Sequence, residues 1–201
     1  MPQGRYTVIG DDGDPVGTEE FRSAPGPAGW RYVSEVDTHE FGPHRATVDL
    51  AVDAAWRIAR VRVETAEHRL LLQPGNGALA GERDGVPLEV AWGPEDHLDY
   101  LTPATNLITC RRLDRSAEID VVYVDPFSLE LTRERQSYEL LGPDEAETPV
   151  GRFAAHRWRY TSLGSGWTSQ LWVAGDLVVR FDRIFELVWY EPGATGPKPL
   201  A

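Results

Sequence analysis

The chain of 201 residues contains one cysteine, Cys110, one methionine and one lysine, Lys198. A lone cysteine makes no intramolecular disulfide, so the fold has to rest on a packed core. No stretch approaches the roughly 18 consecutive apolar residues of a membrane span, which argues against an integral membrane protein. Positive charge is scarce: 20 basic residues face 32 acidic ones, a formal net charge of −12. Such an excess repels phosphate backbones and anionic surfaces, and nucleic-acid binding is not expected. The opening residues, Met1 to Val8, pass straight into strand-like sequence without an apolar leader, so the expected location is cytoplasmic. No glycine-rich phosphate loop, dinucleotide fingerprint or Gly-x-Ser-x-Gly elbow occurs, and no cofactor is expected.

Helical periodicity is nearly absent too, and runs rich in Val, Tyr, Trp, Thr and Leu recur between Gly, Pro and Asp. Arg5 to Ile9 and Val16 to Arg22 flank an Asp12-Gly13 turn and read as a hairpin. His44 to Val52 alternates as a half-buried strand does, and Pro74-Gly-Asn-Gly77 reads as a hairpin tip between His68–Gln73 and Ala78–Glu82. Further strands are expected at Trp30–Asp37, Trp56–Glu64, Pro87–Trp92, Ala117–Val124, Ser128–Leu140, Phe153–Thr161, Trp167–Val173, Leu177–Asp182 and Phe185–Tyr190. Gly142 to Thr148, with three acids, reads as a loop. One short helix is expected between Thr102 and Leu113, with Thr102 as cap and Pro103 at the first helical position. About a dozen strands with one helix predict an all-β domain over residues 1–190, followed by a disordered tail at 191–201. A sheet that wide must curl to bury its inner face, giving a large antiparallel, unclosed β-barrel. A curled sheet lined by apolar and aromatic residues leaves room for an apolar ligand.

Several residues are candidates for chemistry. Asp96, His97 and Asp99 cluster, and His39 and His44 flank Gly42-Pro43, but Trp92 to His97 reads as a solvated acidic loop and no metal is expected. Cys110 is either a nucleophile activated by its arginine neighbours or a buried, inert thiol. Arg111 and Arg112 either hold an anionic group in two-point contact or pair internally with Asp120, Asp125 or Glu118. A carboxylate raised in pKa by an apolar cavity can serve as acid or base. Asp96, Asp99 and Glu118 fit that role, with Tyr100 and Tyr123 as phenolic alternatives. Among the seven tryptophans and seven tyrosines, Trp158 and Tyr160 share a strand face with His156, opposite Arg157 and Arg159, and Trp189 lies on a strand with apolar residues on both faces. One of those faces has to meet a helix or a ligand instead of water.

Tyr100 to Leu113, followed by Ala117-Glu-Ile-Asp-Val-Val-Tyr-Val124 and then Gln136-Ser-Tyr138, resembles the bacterial family described as "putative glycolipid-binding" proteins. In that family a Thr-Asn pair precedes Arg-Arg-Leu by a fixed step, and here Thr105, Asn106, Arg111, Arg112 and Leu113 take those positions. A strand and a Gln-x-Tyr follow in both. The usual Pro-Ile before the arginines is replaced by Thr109-Cys110. The resemblance implies a lipoprotein-carrier type of fold, an unclosed antiparallel β-barrel with a helical lid over an apolar concavity.

The reading that unites these observations is a protein that holds an amphiphilic or apolar small molecule, such as a lipid, glycolipid or polyketide-like metabolite. Trp158, Tyr160 and Trp189 contact its apolar part, and Asn106, Arg111 and Arg112 hold its head. A cofactor-independent cyclase or isomerase is the alternative, since shape and proximity supply much of such a rate. A domain that docks another protein along a sheet edge is a third reading. The oligomeric state is left open.

Overall fold

The computed structural model describes residues 1–39 and 43–200; Gly42, between the two histidines considered above as a metal pair, and Ala201 lie outside them. Fifteen strands form one sheet: β1 (Gln3–Ile9), β2 (Pro15–Gly26), β3 (Gly29–Thr38), β4 (His44–Asp53), β5 (Ile58–Thr65), β6 (Arg69–Gly75), β7 (Ala78–Arg83), β8 (Val86–Ala91), β9 (His97–Asp99), β10 (Ala117–Val124), β11 (Leu131–Thr148), β12 (Gly151–Ser162), β13 (Thr168–Ala174), β14 (Leu177–Phe181) and β15 (Phe185–Glu191). Among the described residues a single helix, α1 (Pro103–Arg112), occurs, and it separates β9 from β10. Neighbours in the chain are neighbours in the sheet, β1 pairs with β15, and the order therefore runs from β8 at one edge to β9 at the other. All pairings are antiparallel except the short parallel ladder of β9 on β10. The sheet is open in the middle of the chain, and its two ends in sequence are joined. The fold is the unclosed all-β architecture expected from the strand pattern.

Two segments depart from the expected elements. Gly142 to Thr148 is strand, not loop: it carries β11 to eighteen residues and pairs with Arg157 back to Gly151. The register shifts between Leu140 and Gly142, so a bulge admits the Gly-Pro pair and the strand resumes with Ala146 and Thr148 buried. His97 to Asp99, expected near a solvated turn, is a buried edge strand. Beyond β15, the segment read above as a tail lies along the sheet, where the Leu200 N–H donates to the Arg152 carbonyl at 2.6 Å. No helix of the described residues is long and apolar enough to cross a membrane.

The helix fixes the curvature. Its N-cap Thr102 bonds to Glu19, and its own Thr105, Asn106 and Thr109 bond to Asp99, Tyr138 and His97. Those groups belong to β2, β11 and β9, and β9 stands eight strand positions from β2. Eight spacings in a flat sheet would span about 38 Å at ~4.8 Å each, against a helix ~10–12 Å thick. One helix reaches both strands only because the sheet wraps around it. Every residue from Pro103 to Cys110 is buried, including Thr105, Asn106 and Thr109.

The N-terminus of α1 rests on a buried carboxyl group. Thr102 caps the helix, accepting from the Ala104 N–H at 3.3 Å and donating to Glu19 Oε1 at 2.6 Å. Tyr32 donates to the same oxygen at 2.7 Å, whereas Glu19 Oε2 has no partner among the described residues. Glu19 is fully buried, and burial pushes its pKa up from 4.5 to about 7 against the hydrogen bonds from Thr102 and Tyr32. A carboxyl whose folded pKa is raised binds its proton more tightly in the native state. Its contribution to stability is complete below 4.5 and is lost as the pH rises through about 7. Urea unfolding across that window is expected to show a Glu19-dependent slope of at most about 1.4 kcal/mol per pH unit, which Glu19→Gln removes. Identical slopes in the two proteins would mean that Glu19 is not buried as a neutral acid.

Candidate functional site

A second carboxyl group lies at the same end of the helix, at the boundary of two concavities. Asp99 closes β9 and is paired in register with Tyr123 of β10, so both project to the inner face. The Gln136 amide donates to Asp99 Oδ2 at 2.6 Å, and Thr105 Oγ1 stands 3.2 Å from Oδ1. Beside them the Tyr138 hydroxyl donates to Asn106 Oδ1 at 3.1 Å. Burial pushes Asp99 up to about 6; the bonds from Gln136 and Thr105 oppose that rise, and the neighbouring Glu134 carboxylate adds to it. The side chain is thus near its midpoint close to neutral pH, as acid–base and pH-sensitive groups are.

The first concavity is an inner pocket of about 290 Å³. Ile9, Trp167, Phe181, Ile184 and Phe185 supply its apolar wall from β1 and the β12 to β15 region. Asp99, Asn106, Tyr123 and Asp125 supply its polar wall. Burial pushes Asp125 up, but hydrogen bonds from Ser128 and Phe127 outweigh it and hold the carboxyl below the usual range. Tyr100 also lines the pocket, and its buried phenolic oxygen has no hydrogen-bond partner among the described residues. The Tyr160 ring joins the two walls, meeting Tyr138 edge-on at 5.4 Å and Trp167 and Phe181 at 5.7 Å each. Asp99, Tyr123 and Tyr160 recur in the second concavity, an outer groove of about 740 Å³ that continues past Glu134, Ser162 and Ser165.

Five of the residues singled out from the sequence therefore converge: Asp99, Tyr100, Asn106, Tyr123 and Tyr160. The others lie elsewhere. Asp96 accepts from the Gly93 N–H at 2.7 Å and pairs with Arg133 at 2.9 Å, tying the turn before β9 to β11. Glu118 is exposed on β10 and pairs with Arg135 at 2.7 Å. The arginine pair is split between partners other than those expected. Arg111 lies over the Trp56 ring at 5.0 Å with Asp176 at 3.7 Å. Arg112 donates to the Asp96 and Pro94 carbonyls at 2.7 Å each. Trp158 lines a separate depression with Cys110, Arg111 and His156, and Trp189 is 43% exposed on the outer face of the sheet. His97 is buried beside Thr109, 3.0 Å from its Oγ1, and burial together with Arg112 pushes its pKa down to about 3. Among the described residues no three His, Cys, Asp or Glu side chains are grouped to hold a metal ion.

Sequence reasoning passed over Gln136, Glu134, Trp167, Phe181 and Phe185. Gln136 stood in the Gln-x-Tyr motif, and its spacing from Tyr138 places both on the helix side of β11. Trp167 and Phe181 carried only the signal of strand aromatics, which does not distinguish the two faces.

Residues 11–185 match the sequence family described as "Putative glycolipid-binding". Among solved structures, a DUF1089 family protein from Pseudomonas aeruginosa is similar, with 22% identity and a TM-score of 0.57 over 84% of this chain and 91% of that one. A β-barrel-like DUF1849 protein from Brucella abortus has 11% identity and a TM-score of 0.56, covering 94% of this chain and 96% of that one. At these identities both speak to the fold alone. No curated protein matches the chain.

The buried environment of Asp99 has a direct readout. Its carboxyl carbon, followed by NMR, is expected to titrate near pH 6, and Gln136→Leu should move the midpoint upward, because the amide favours the charged form. A midpoint in the usual carboxylate range near 4 would show that water reaches Asp99 freely.

Proposed function

The chain belongs to the family described as "Putative glycolipid-binding", and from that premise we propose that it binds an amphiphile of the glycolipid class at the inner pocket. The observation that carries this reading is the division of the pocket into an aromatic wall and a polar wall that meet at Tyr160. The apolar part of the ligand lies against Trp167, Phe181 and Phe185. Its first polar groups meet Asp99, Asn106 and Tyr123. A volume of about 290 Å³ is at the small end of the ~300–1,000 Å³ usual for ligand sites. It suits a short alkyl segment or a single ring, and the remainder of a larger lipid extends outside.

Tyr100 supports the same reading independently. A buried hydroxyl without a partner costs stability, and a ligand oxygen reaching it would relieve that cost. The arginines expected to hold an anionic head have no part in this site, since both are engaged at the far end of the helix.

Calorimetric titration with octyl glucoside below its micelle concentration tests the proposal. Trp167→Ala is expected to weaken binding by roughly tenfold or more, the loss of one large apolar wall. Tyr100→Phe should weaken it by a few-fold to roughly tenfold while leaving unfolding stability unchanged or raised, because it deletes a hydroxyl that nothing in the free protein satisfies. Absence of binding, or binding indifferent to both substitutions, would refute this location.

A further inference from the structure

The sheet has two free edges, β8 and β9, and they come together beside the inner pocket. Ile9, Thr38, Asp99 and Phe181 are the last residues of β1, β3, β9 and β14, and Phe185 is the first of β15. All five line the pocket, which therefore opens at one rim of the curled sheet. Antiparallel alternation puts the β7–β8 turn, at Asp84-Gly85, and the β10–β11 turn, at 125–130, on that same rim. Elsewhere each strand is tied to the next by a backbone ladder, whereas between the two free edges side chains take its place. At the rim Arg83 Nη1 donates to the Ser128 carbonyl at 3.2 Å and pairs with Glu130 at 3.3 Å. At the far end of β8, Arg133 donates to the Ala91 carbonyl and holds Asp96 at 2.9 Å.

The two sides of the gap differ in how they are anchored. Asp84 and Gly85, at φ 55° and 77°, make a tight two-residue hairpin turn. Asp84 accepts from the Arg69 N–H at 2.7 Å and lies 2.8 Å from His68 Nδ1, so Arg83 projects from a fixed base. The 125–130 turn is closed on itself. Asp125 Oδ1 accepts from the Phe127 and Ser128 N–H groups and the Ser128 hydroxyl at 3.0, 2.7 and 2.9 Å. The Asp125 and Leu129 N–H groups donate to the Glu130 and Asp125 carbonyls at 2.9 Å each. Such a turn moves as a unit. Its Pro126 and Phe127 form part of the pocket wall, with Phe127 40% exposed and edge-on to His44 at 4.9 Å. Leu129, fully buried, takes φ 55°, a left-handed conformation that a leucine keeps only while packing enforces it.

We propose that the 125–130 turn is a door to the inner pocket, latched by Arg83, through which the ligand enters and leaves. This inference rests on the inner pocket being the ligand site and adds the route to it. Releasing one partly exposed guanidinium costs far less than parting a strand ladder, so the gap between the free edges is where the rim opens most readily.

Stopped-flow fluorescence with N-phenyl-1-naphthylamine, an uncharged probe that brightens in apolar surroundings, tests the door. Trp167→Ala should weaken its equilibrium binding, which locates it in the pocket. Arg83→Ala is expected to raise association and dissociation rates together, by roughly fivefold, with Kd kept within about twofold because the latch touches the turn and not the ligand. In the free Arg83→Ala protein the Phe127 and Ser128 amides should also exchange with solvent faster than in the parent. Arg133→Ala, at the far end of the gap, should leave the rates unchanged. Unaltered rates in Arg83→Ala would overturn the proposal, as would a rise in dissociation alone, which would make Arg83 a support of the bound state. Equal acceleration by Arg133→Ala would also overturn it, placing entry along the whole gap. Absence of probe binding, or binding indifferent to Trp167→Ala, would remove the pocket reading itself, and the door with it.

Discussion

A helix that carries threonines and an asparagine, yet is buried from Pro103 to Cys110, constrains everything around it. Buried polar groups have to be hydrogen-bonded, and water cannot do this for side chains enclosed by a sheet. The strands must therefore present partners at matching positions. Glu19 and Tyr32 answer Thr102, Asp99 and Gln136 stand beside Thr105, Tyr138 answers Asn106 and His97 answers Thr109. These partners come from strands widely separated in the sheet, and meeting them fixes how tightly the sheet curls. The candidate site grows from the same network, because Asp99 and Asn106, which are bonded within it, also line the pocket at the helix's N-terminal end.

The partial negative charge at the C-terminus of the helix favours Arg111 and Arg112 in its last turn. At that end the guanidinium groups meet backbone carbonyls, an aromatic face and Asp176. The Arg-Arg pair, the most conspicuous charge feature of the sequence, is thus spent on closing the helix and the turn before β9. The less conspicuous Asp99 borders both concavities.

The strand pattern was legible because alternation reports a half-buried face directly, as in β4, and because turn residues punctuate it. The length of β11 was not. Gly142-Pro143 with following acids carries every local sign of a loop, but pairing with β12 and a bulge keep it extended, while Asp144 bonds the Trp172 indole at 2.9 Å. The three residues of β9 gave no local signal either, since a short parallel edge strand is defined by its partner. Within the site, Asp99, Tyr100, Asn106, Tyr123 and Tyr160 were found because chemistry and local sequence both mark them. Trp158 and Trp189 were indistinguishable from Trp167 in sequence. Which strand aromatics face a ligand depends on sheet curvature, bulges and the tail, none of which is encoded within five residues of a tryptophan.

The proposed meeting point of protein and ligand is the N-terminal end of the helix, where the two concavities share Asp99, Tyr123 and Tyr160. Backbone and indole NMR shifts recorded during titration with octyl glucoside test that location. The largest changes are expected on Asp99, Asn106, Tyr123, Tyr160 and the Trp167 indole. Changes concentrated instead around Cys110, Arg111 and Trp158, or on Trp189 at the outer face, would rule it out.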